Sequence, residues 1–154
     1  MDEDKLNRLP PDVKKQFLKY ALKLSEKKTK SKVHDDFLAF VKHVWPEFIE
    51  GPHHKKIAEK FNRLAKGEVK RLIINMPPRH TKSEFASFLL PSWMVGRKPD
   101  LKIIQTTHTT ELAIRFGRKA KTLIDSAEYQ SVFKTRRRED SQAAGKWETE
   151  QGGE

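Results

Sequence analysis

A chain of 154 residues with a formal net charge of +11 and no cysteine suits one domain of ordinary size, and it excludes disulfides and thiolate metal sites. The charged start Met1-Asp2-Glu3-Asp4-Lys5 resembles no signal peptide, and no run approaches the ~20 apolar residues of a membrane helix, so a soluble protein with cytoplasmic chemistry and no membrane partner is expected. The excess of Lys and Arg points to a polyanionic partner, most simply nucleic acid, because clustered cations release counterions on meeting phosphates; the same charge can also serve solubility alone.

Pro10-Pro11-Asp12 precedes Val13, Phe17, Tyr20, Ala21 and Leu24, whose three- and four-residue spacing predicts a first amphipathic helix. Lys23, Lys27, Lys28, Lys30 and Lys32 are opposed there only by Glu26, which reads as a solvated linker or flexible arm, with DNA contact as the alternative. Residues 1–32 are therefore a basic helical arm and linker. A second helix is predicted from a cap at Asp35 or Asp36 through Phe37, Phe40, Val41, Val44 and Trp45, stopped by Pro46. A third runs from Pro52 through Ile57, Ala58, Phe61, Leu64 and Ala65 to Gly67. His53 and His54 open it, but neighbours on a helix point about 100° apart and no third ligand is evident, so they make a weak metal pair.

Val69-Lys70-Arg71-Leu72-Ile73-Ile74-Asn75 is short, β-branched and bounded by a glycine and two prolines, which predicts a buried strand. Met76-Pro77-Pro78-Arg79-His80-Thr81-Lys82-Ser83 follows at once. Aligned on the Lys-Ser/Thr of the phosphate-loop pattern G-x-x-x-x-G-K-[ST], Met76 and Thr81 occupy the two glycine positions, so both glycines are missing. The other parts survive: a strand before, and a helical run through Phe85, Ala86, Phe88 and Leu89 whose amino end favours phosphate. In this reading Lys82 reaches the β- and γ-phosphates of ATP, the Ser83 hydroxyl holds Mg²⁺, and Arg79 adds charge against the transferring phosphoryl group. Thr81 would then need strain or a different loop trace. The competing reading is a Pro77-Pro78 turn followed by a basic helix start.

Pro91 bends or ends that helix, and Trp93 and Met94 give apolar cover. Leu101 to Thr107 predicts a second strand, and His108, Thr109 and Thr110 precede a helix with Leu112, Phe116, Ala120, Leu123 and Ile124 on one face. Thr109 or Thr110 reads as its cap. Arg115, Arg118 and Lys119 lie on another face and are candidate DNA contacts, or simply solvated surface. Strand, loop, helix, strand, helix is the grammar of an α/β domain with parallel strands, whose ligands bind at the carboxyl edge.

From Phe37 to Phe133 the chain resembles the amino-terminal ATPase region of tailed-bacteriophage terminase large subunits. The resemblance is carried by Phe40-Val41-Lys42-His43-Val44-Trp45-Pro46, Gly51-Pro52-His53-His54, Asn75 to Glu84, and Phe116-Gly117-Arg118-Lys119. It implies an incomplete P-loop NTPase core of the additional-strand class, with parallel strands over residues 33–133, preceded by an α-helical region. It further implies ATP and Mg²⁺ as cofactors, with Pro78, Arg79, His80, Thr81, Lys82 and Ser83 as a deviant Walker A loop, and Arg79 as the arginine that senses or stabilises the γ-phosphate. Implied partners are double-stranded phage DNA, the portal protein, the small terminase subunit, and the remainder of the chain or a complementary fragment. The implied place is the cytoplasm of the infected bacterium, transiently at the procapsid portal.

Two parts of that family's pattern have no counterpart. No apolar strand leads into Asp125, Glu128, Glu139, Asp140, Glu148, Glu150 or Glu154, so the acidic motif that fixes Mg²⁺ and activates water is missing, as is the nuclease domain. Residues 134–154 read as a polar, flexible tail where the domain is cut short, through interruption by an intron or intein, deliberate shortening, or a natural short product. By resemblance, strands from later in the chain separate the two predicted here; a second copy or a complementary fragment would complete the sheet, or the two strands would pair directly. Two functions follow: the ATP-binding portion of a DNA-packaging motor, inactive alone as a hydrolase, or a non-hydrolytic, basic nucleic-acid-binding or interfering fragment derived from one.

Overall fold

The computed structural model describes residues 10–140 and 146–153. Residues 1–9 of the expected arm, residues 141–145 of the expected tail and Glu154 lie outside the described residues.

Helix α1 spans Pro11–Asp35, opening on a proline whose missing N–H falls where no helical partner exists anyway. No Gly or Pro interrupts residues 12–35, and Lys, Leu, Glu and Ala are strong helix formers, so the lysine-rich stretch continues the helix where a linker was expected. Val13, Leu18, Tyr20, Leu22 and Leu24 stay exposed along it, and Val33 near its carboxyl end is buried. Asp36 leaves helical geometry and caps α2, Phe37–Val44, its Oδ1 accepting from the Ala39 amide at 2.7 Å. Asn62 of α3, Pro52–Ala65, clasps the same corner: its Nδ2 donates to Asp36 Oδ2 at 2.9 Å, and its Oδ1 accepts from the Phe37 amide at 2.8 Å. Gly67, at φ 77°, ends the run after α3 in the left-handed region that glycine enters freely.

That corner delivers Phe37 into the centre of the core, fully buried. Its ring meets Phe61 at 5.0 Å, Phe85 at 5.4 Å and Trp93 at 5.5 Å, all edge-on, the arrangement the ring quadrupole favours. Phe85 and Trp93 come from α4, which runs as Lys82–Glu84, a π turn Phe85–Leu89 and Leu90–Arg97. Of the two expectations for Pro91, a bend or an end, the structure has no end: Pro91 sits inside this helix. A proline lacks the N–H for an i−4 bond and crowds that carbonyl, and the wider π turn directly before it, closed by the Leu90 amide on the Phe85 carbonyl, relieves the conflict.

Helix α5, Thr110–Ile124, is capped by Thr109, whose Oγ1 accepts from the Leu112 amide at 3.3 Å. Helix α6, Ala127–Val132, brings in Tyr129, whose hydroxyl donates to the Ser92 carbonyl at 2.8 Å and whose phenol pKa is pushed up by burial. The polar end, expected to be a free tail, returns to the body over residues 146–153. Arg138 N donates to Glu148 O at 2.9 Å, Glu150 N donates to Arg136 O at 3.0 Å, and the buried Thr149 donates its hydroxyl to Pro99 O at 2.6 Å.

The α/β fold with parallel strands is corrected by this architecture: the chain is helical, and among the described residues there is neither a strand nor a sheet. Residues 71–76 and 101–104 do alternate in exposure as strands would. Leu72, Ile74 and Met76 pack on the core, while Ile73 and Ile104 are 85% and 92% exposed. Among the described residues, however, 69–76 and 102–108 make no backbone–backbone hydrogen bond. Period-two patterning reports a half-buried segment; pairing needs a second edge, and among the described residues no backbone hydrogen bond joins either segment to one.

Amides of residues 69–76 and 102–108 should therefore exchange with deuterium at nearly unprotected rates while those of α2 and α4 are slow; protection across either segment would restore a sheet. Gly96 provides a second test. A Cβ there would lie 2.6 Å from the Tyr129 hydroxyl and 2.7 Å from the Phe133 ring, so Gly96→Ala should lower the unfolding free energy by about 1–3 kcal/mol in denaturant titration.

Candidate functional site

The loop 76–83 is assembled by two helix starts. At the amino end of α3 the Gly51 carbonyl accepts from the His54 amide at 3.0 Å, and the His54 ring turns back so that Nδ1 accepts from the Gly51 amide at 2.8 Å. An imidazole nitrogen that accepts carries no proton, so the proton of neutral His54 is on Nε2. That nitrogen faces Thr81 Oγ1 at 2.7 Å, and the Thr81 hydroxyl donates onward to the His80 carbonyl at 2.7 Å. The result is a chain of donors running one way, from the Gly51 backbone to the loop.

Thr81 has φ 58° and ψ 9°, and Arg79 has φ 63°. Left-handed backbone at a non-glycine residue costs roughly 1–3 kcal/mol and marks positions held by their surroundings. Thr81 occupies the position of the second glycine in the phosphate-loop pattern, and its conformation is one glycine would adopt freely. Lys82 folds back so that Nζ lies 3.4 Å from the Met76 carbonyl, at the first-glycine position. The Thr81 carbonyl accepts from Phe85 N at 2.9 Å, starting α4, and no side chain caps that end. The amides of Lys82, Ser83 and Glu84 thus have no partner among the described residues. An uncapped helix start with a lysine over it is an arrangement that favours an anion.

Pro78, Arg79, His80 and Ser83 are exposed, and Thr81 and Lys82 half-buried. His80 is folded onto the loop, its Nδ1 donating to the Pro78 carbonyl at 2.8 Å. The six loop residues named from sequence are therefore brought together around one uncapped helix start. The three named on α5 are not part of that cluster. Lys119 Nζ donates to both Glu84 carboxylate oxygens at 2.7 Å and lies 5.4 Å over the Phe88 ring, tying α5 to α4. Arg115 and Arg118 line an open groove of about 1130 Å³ with Val44, Leu112 and Glu128.

His54 is the residue that sequence reasoning missed. Its ring lies 3.8 Å from that of His53, tilted at 46°. The usable signal was its place in the first turn of a helix opened by Gly-Pro, where a side-chain acceptor can satisfy a free amide. Burial, assisted by the neighbouring His53, holds the His54 pKa below 6.5, against a smaller opposing pull from Glu50. Glu50 is itself engaged by Lys42 and Lys55.

Compared with protein-family models, curated proteins and solved structures, the chain matches none. Among the described residues no helix is long and apolar enough to cross a membrane.

Because the folded state binds the His54 proton less tightly than the unfolded chain, His54 contributes stability that is fully present above pH 6.5 and is lost as pH falls below it. Asn in place of His54 keeps an acceptor for Gly51 but cannot titrate. Denaturant titration at pH 7.5 and 5.5 should therefore show a larger loss of stability on acidification in the wild type than in His54→Asn; equal losses would contradict this assignment.

Proposed function

We propose that this chain binds the triphosphate of ATP, as its Mg²⁺ complex, at loop 76–83, and that it is the nucleotide-binding portion of a phage DNA-packaging motor of the terminase large-subunit kind. The observation that supports this best is Thr81 at φ 58° directly before Lys82, whose ammonium is folded over Met76 O. A sequence without either pattern glycine adopts, at the second glycine's position, the backbone that a glycine would supply.

The chemistry follows from the donors present. The free amides of Lys82, Ser83 and Glu84 point to where phosphate oxygens are best stabilised, and the Lys82 ammonium adds a mobile positive charge. Arg79, exposed on the loop, brings a planar cation toward a terminal phosphate. The Ser83 hydroxyl is exposed and suits a hard cation that retains most of its waters. Mg²⁺, when bound, neutralises phosphate charge. Hydrolysis also needs a carboxylate to orient water, and Glu84, the acid adjoining the loop, is held by Lys119 on both oxygens. The chain is therefore proposed as a binder that hydrolyses only when completed by the remainder of the motor, with double-stranded DNA, portal and small subunit as its partners.

One observation favours a second reading, that of a non-hydrolytic, basic nucleic-acid-binding or interfering fragment. Lys15, Lys19, Lys23, Lys27, Lys28 and Lys30 are all exposed on α1, a continuous helix that can track a phosphate backbone without any nucleotide.

Calorimetry and thermal unfolding with Mg-ATP separate the two. Binding should raise the melting temperature, because a ligand selective for the folded state stabilises it by mass action. Lys82→Ala should weaken binding at least about tenfold, as expected for loss of a charge-assisted contact. Unchanged melting at millimolar Mg-ATP, together with DNA affinity that falls steeply with salt, would leave the second reading. Steady turnover by the isolated chain, abolished in Lys82→Ala, would overturn the assignment of a non-hydrolytic binder.

A further inference from the structure

We propose that His54 is a positioning residue for the loop: by donating from Nε2 to the Thr81 hydroxyl, it holds Thr81 in the left-handed conformation that opens the amides of Lys82, Ser83 and Glu84 to a polyphosphate. This rests on the reading of loop 76–83 as a phosphate site.

Thr81 is poorly suited to that backbone. A β-branched residue at φ 58° crowds its own carbonyl, a clash glycine lacks, so something outside the loop must hold it. Its hydroxyl is fixed at both ends, accepting from His54 Nε2 at 2.7 Å and donating to His80 O at 2.7 Å. His54 in turn has no freedom to swing away. It is 5% exposed, its Nδ1 is occupied by the Gly51 amide at 2.8 Å, and its ring is packed by Phe48 at 4.8 Å, Phe85 at 5.1 Å and His53 at 3.8 Å.

The proton count makes the arrangement directional. One ring proton must sit on Nε2 for Thr81, and the bare Nδ1 must accept from Gly51. A second proton would set N–H against N–H at Gly51 and break the fixed ring orientation. The titratable groups facing His54 are His53 beside it on α3, His80 from the loop and Glu50 from the segment before α3; Lys42 and Lys55 pair with Glu50. The two histidines oppose a second proton and the carboxylate favours it, while α4 contributes the uncharged Phe85 ring. Acidification should therefore loosen the loop through His54 before it unfolds the protein.

The test uses the full chain with His54→Asn, which keeps the Gly51 acceptor but falls short of Thr81, and with Thr81→Ala, which removes the hydroxyl and leaves α3 untouched. Two readouts are needed: Mg-ATP affinity by calorimetry, and the Thr81 backbone carbon shifts by NMR without nucleotide, which report its left-handed conformation. Both variants should lose that signature and bind at least tenfold more weakly. Thr81→Gly placed in the His54→Asn background should restore affinity, because glycine needs no holding. Wild-type affinity should fall from pH 7.5 to a pH below the lowered His54 pKa more than that of Thr81→Gly, the titration of ATP itself being common to both. If the wild type binds no Mg-ATP at either pH, yet Thr81 keeps its signature and loses it in His54→Asn, positioning stands and the phosphate reading falls. Thr81 shifts unchanged in His54→Asn, or failure of the glycine to restore affinity, would overturn the proposal.

Discussion

The burial of Phe37 is the constraint on which the other parts depend. One ring touches Phe61 of α3 and both Phe85 and Trp93 of α4, so the three helices that carry or support the loop share one anchor. Phe85 is the fourth residue of α4 and its amide bonds Thr81; fixing its ring fixes the helix start. Burying an aromatic ring of this kind contributes about 1.5–3 kcal/mol, comparable with the roughly 1–3 kcal/mol cost of a left-handed non-glycine residue. The core can thus sustain a strained loop at its edge.

Polar contacts decide where that strain is placed. Asn62 fixes the Asp36 corner against α3, which sets the direction of Phe37 and places the amino end of α3 beside the loop. Pro52 and Gly51 then leave an amide for His54 to satisfy, and the opposite side of the same ring reaches Thr81. Buried hydrogen bonds contribute only about 0.5–1.5 kcal/mol each. Their value here is geometric, since a ring clamped on both nitrogens and packed by Phe48 and Phe85 leaves Thr81 a single orientation to meet.

The helices were legible in the sequence wherever periodicity and a stop signal agreed. Asp36, Phe37, Phe40 and Pro46 delimit α2, and Pro52 with Gly67 brackets α3, because local chemistry sets both ends. α1 was read too short, since a row of lysines looks like a linker while remaining a good helix former. The strands failed for another reason. Leu72, Ile74 and Met76 face the core as a strand's residues would, but strand pairing is a property of two segments, and neither period-two pattern names a partner. At Pro91 the sequence allows a bend or an end, because the rule counts one lost bond and cannot foresee a π turn that absorbs it. At the loop, the Lys82-Ser83 pattern marks a helix start, which the structure has; the His54–Thr81 bond is not legible locally, because it joins positions 27 apart in sequence.

The loss of the sheet narrows what the loop alone can do. A phosphate site of this kind needs local features: free amides, a lysine, and backbone turned the right way at one residue, all of which a helix start can present without a strand beside it. Hydrolysis is different, since a carboxylate must be aimed at a water on the far side of the terminal phosphate, and that aim comes from a second element across the site. Here the acid at hand, Glu84, points to Lys119 and serves the α4–α5 contact. Freeing it would leave an ammonium unpaired over Phe88, so in this chain the carboxylate is held by packing between α4 and α5.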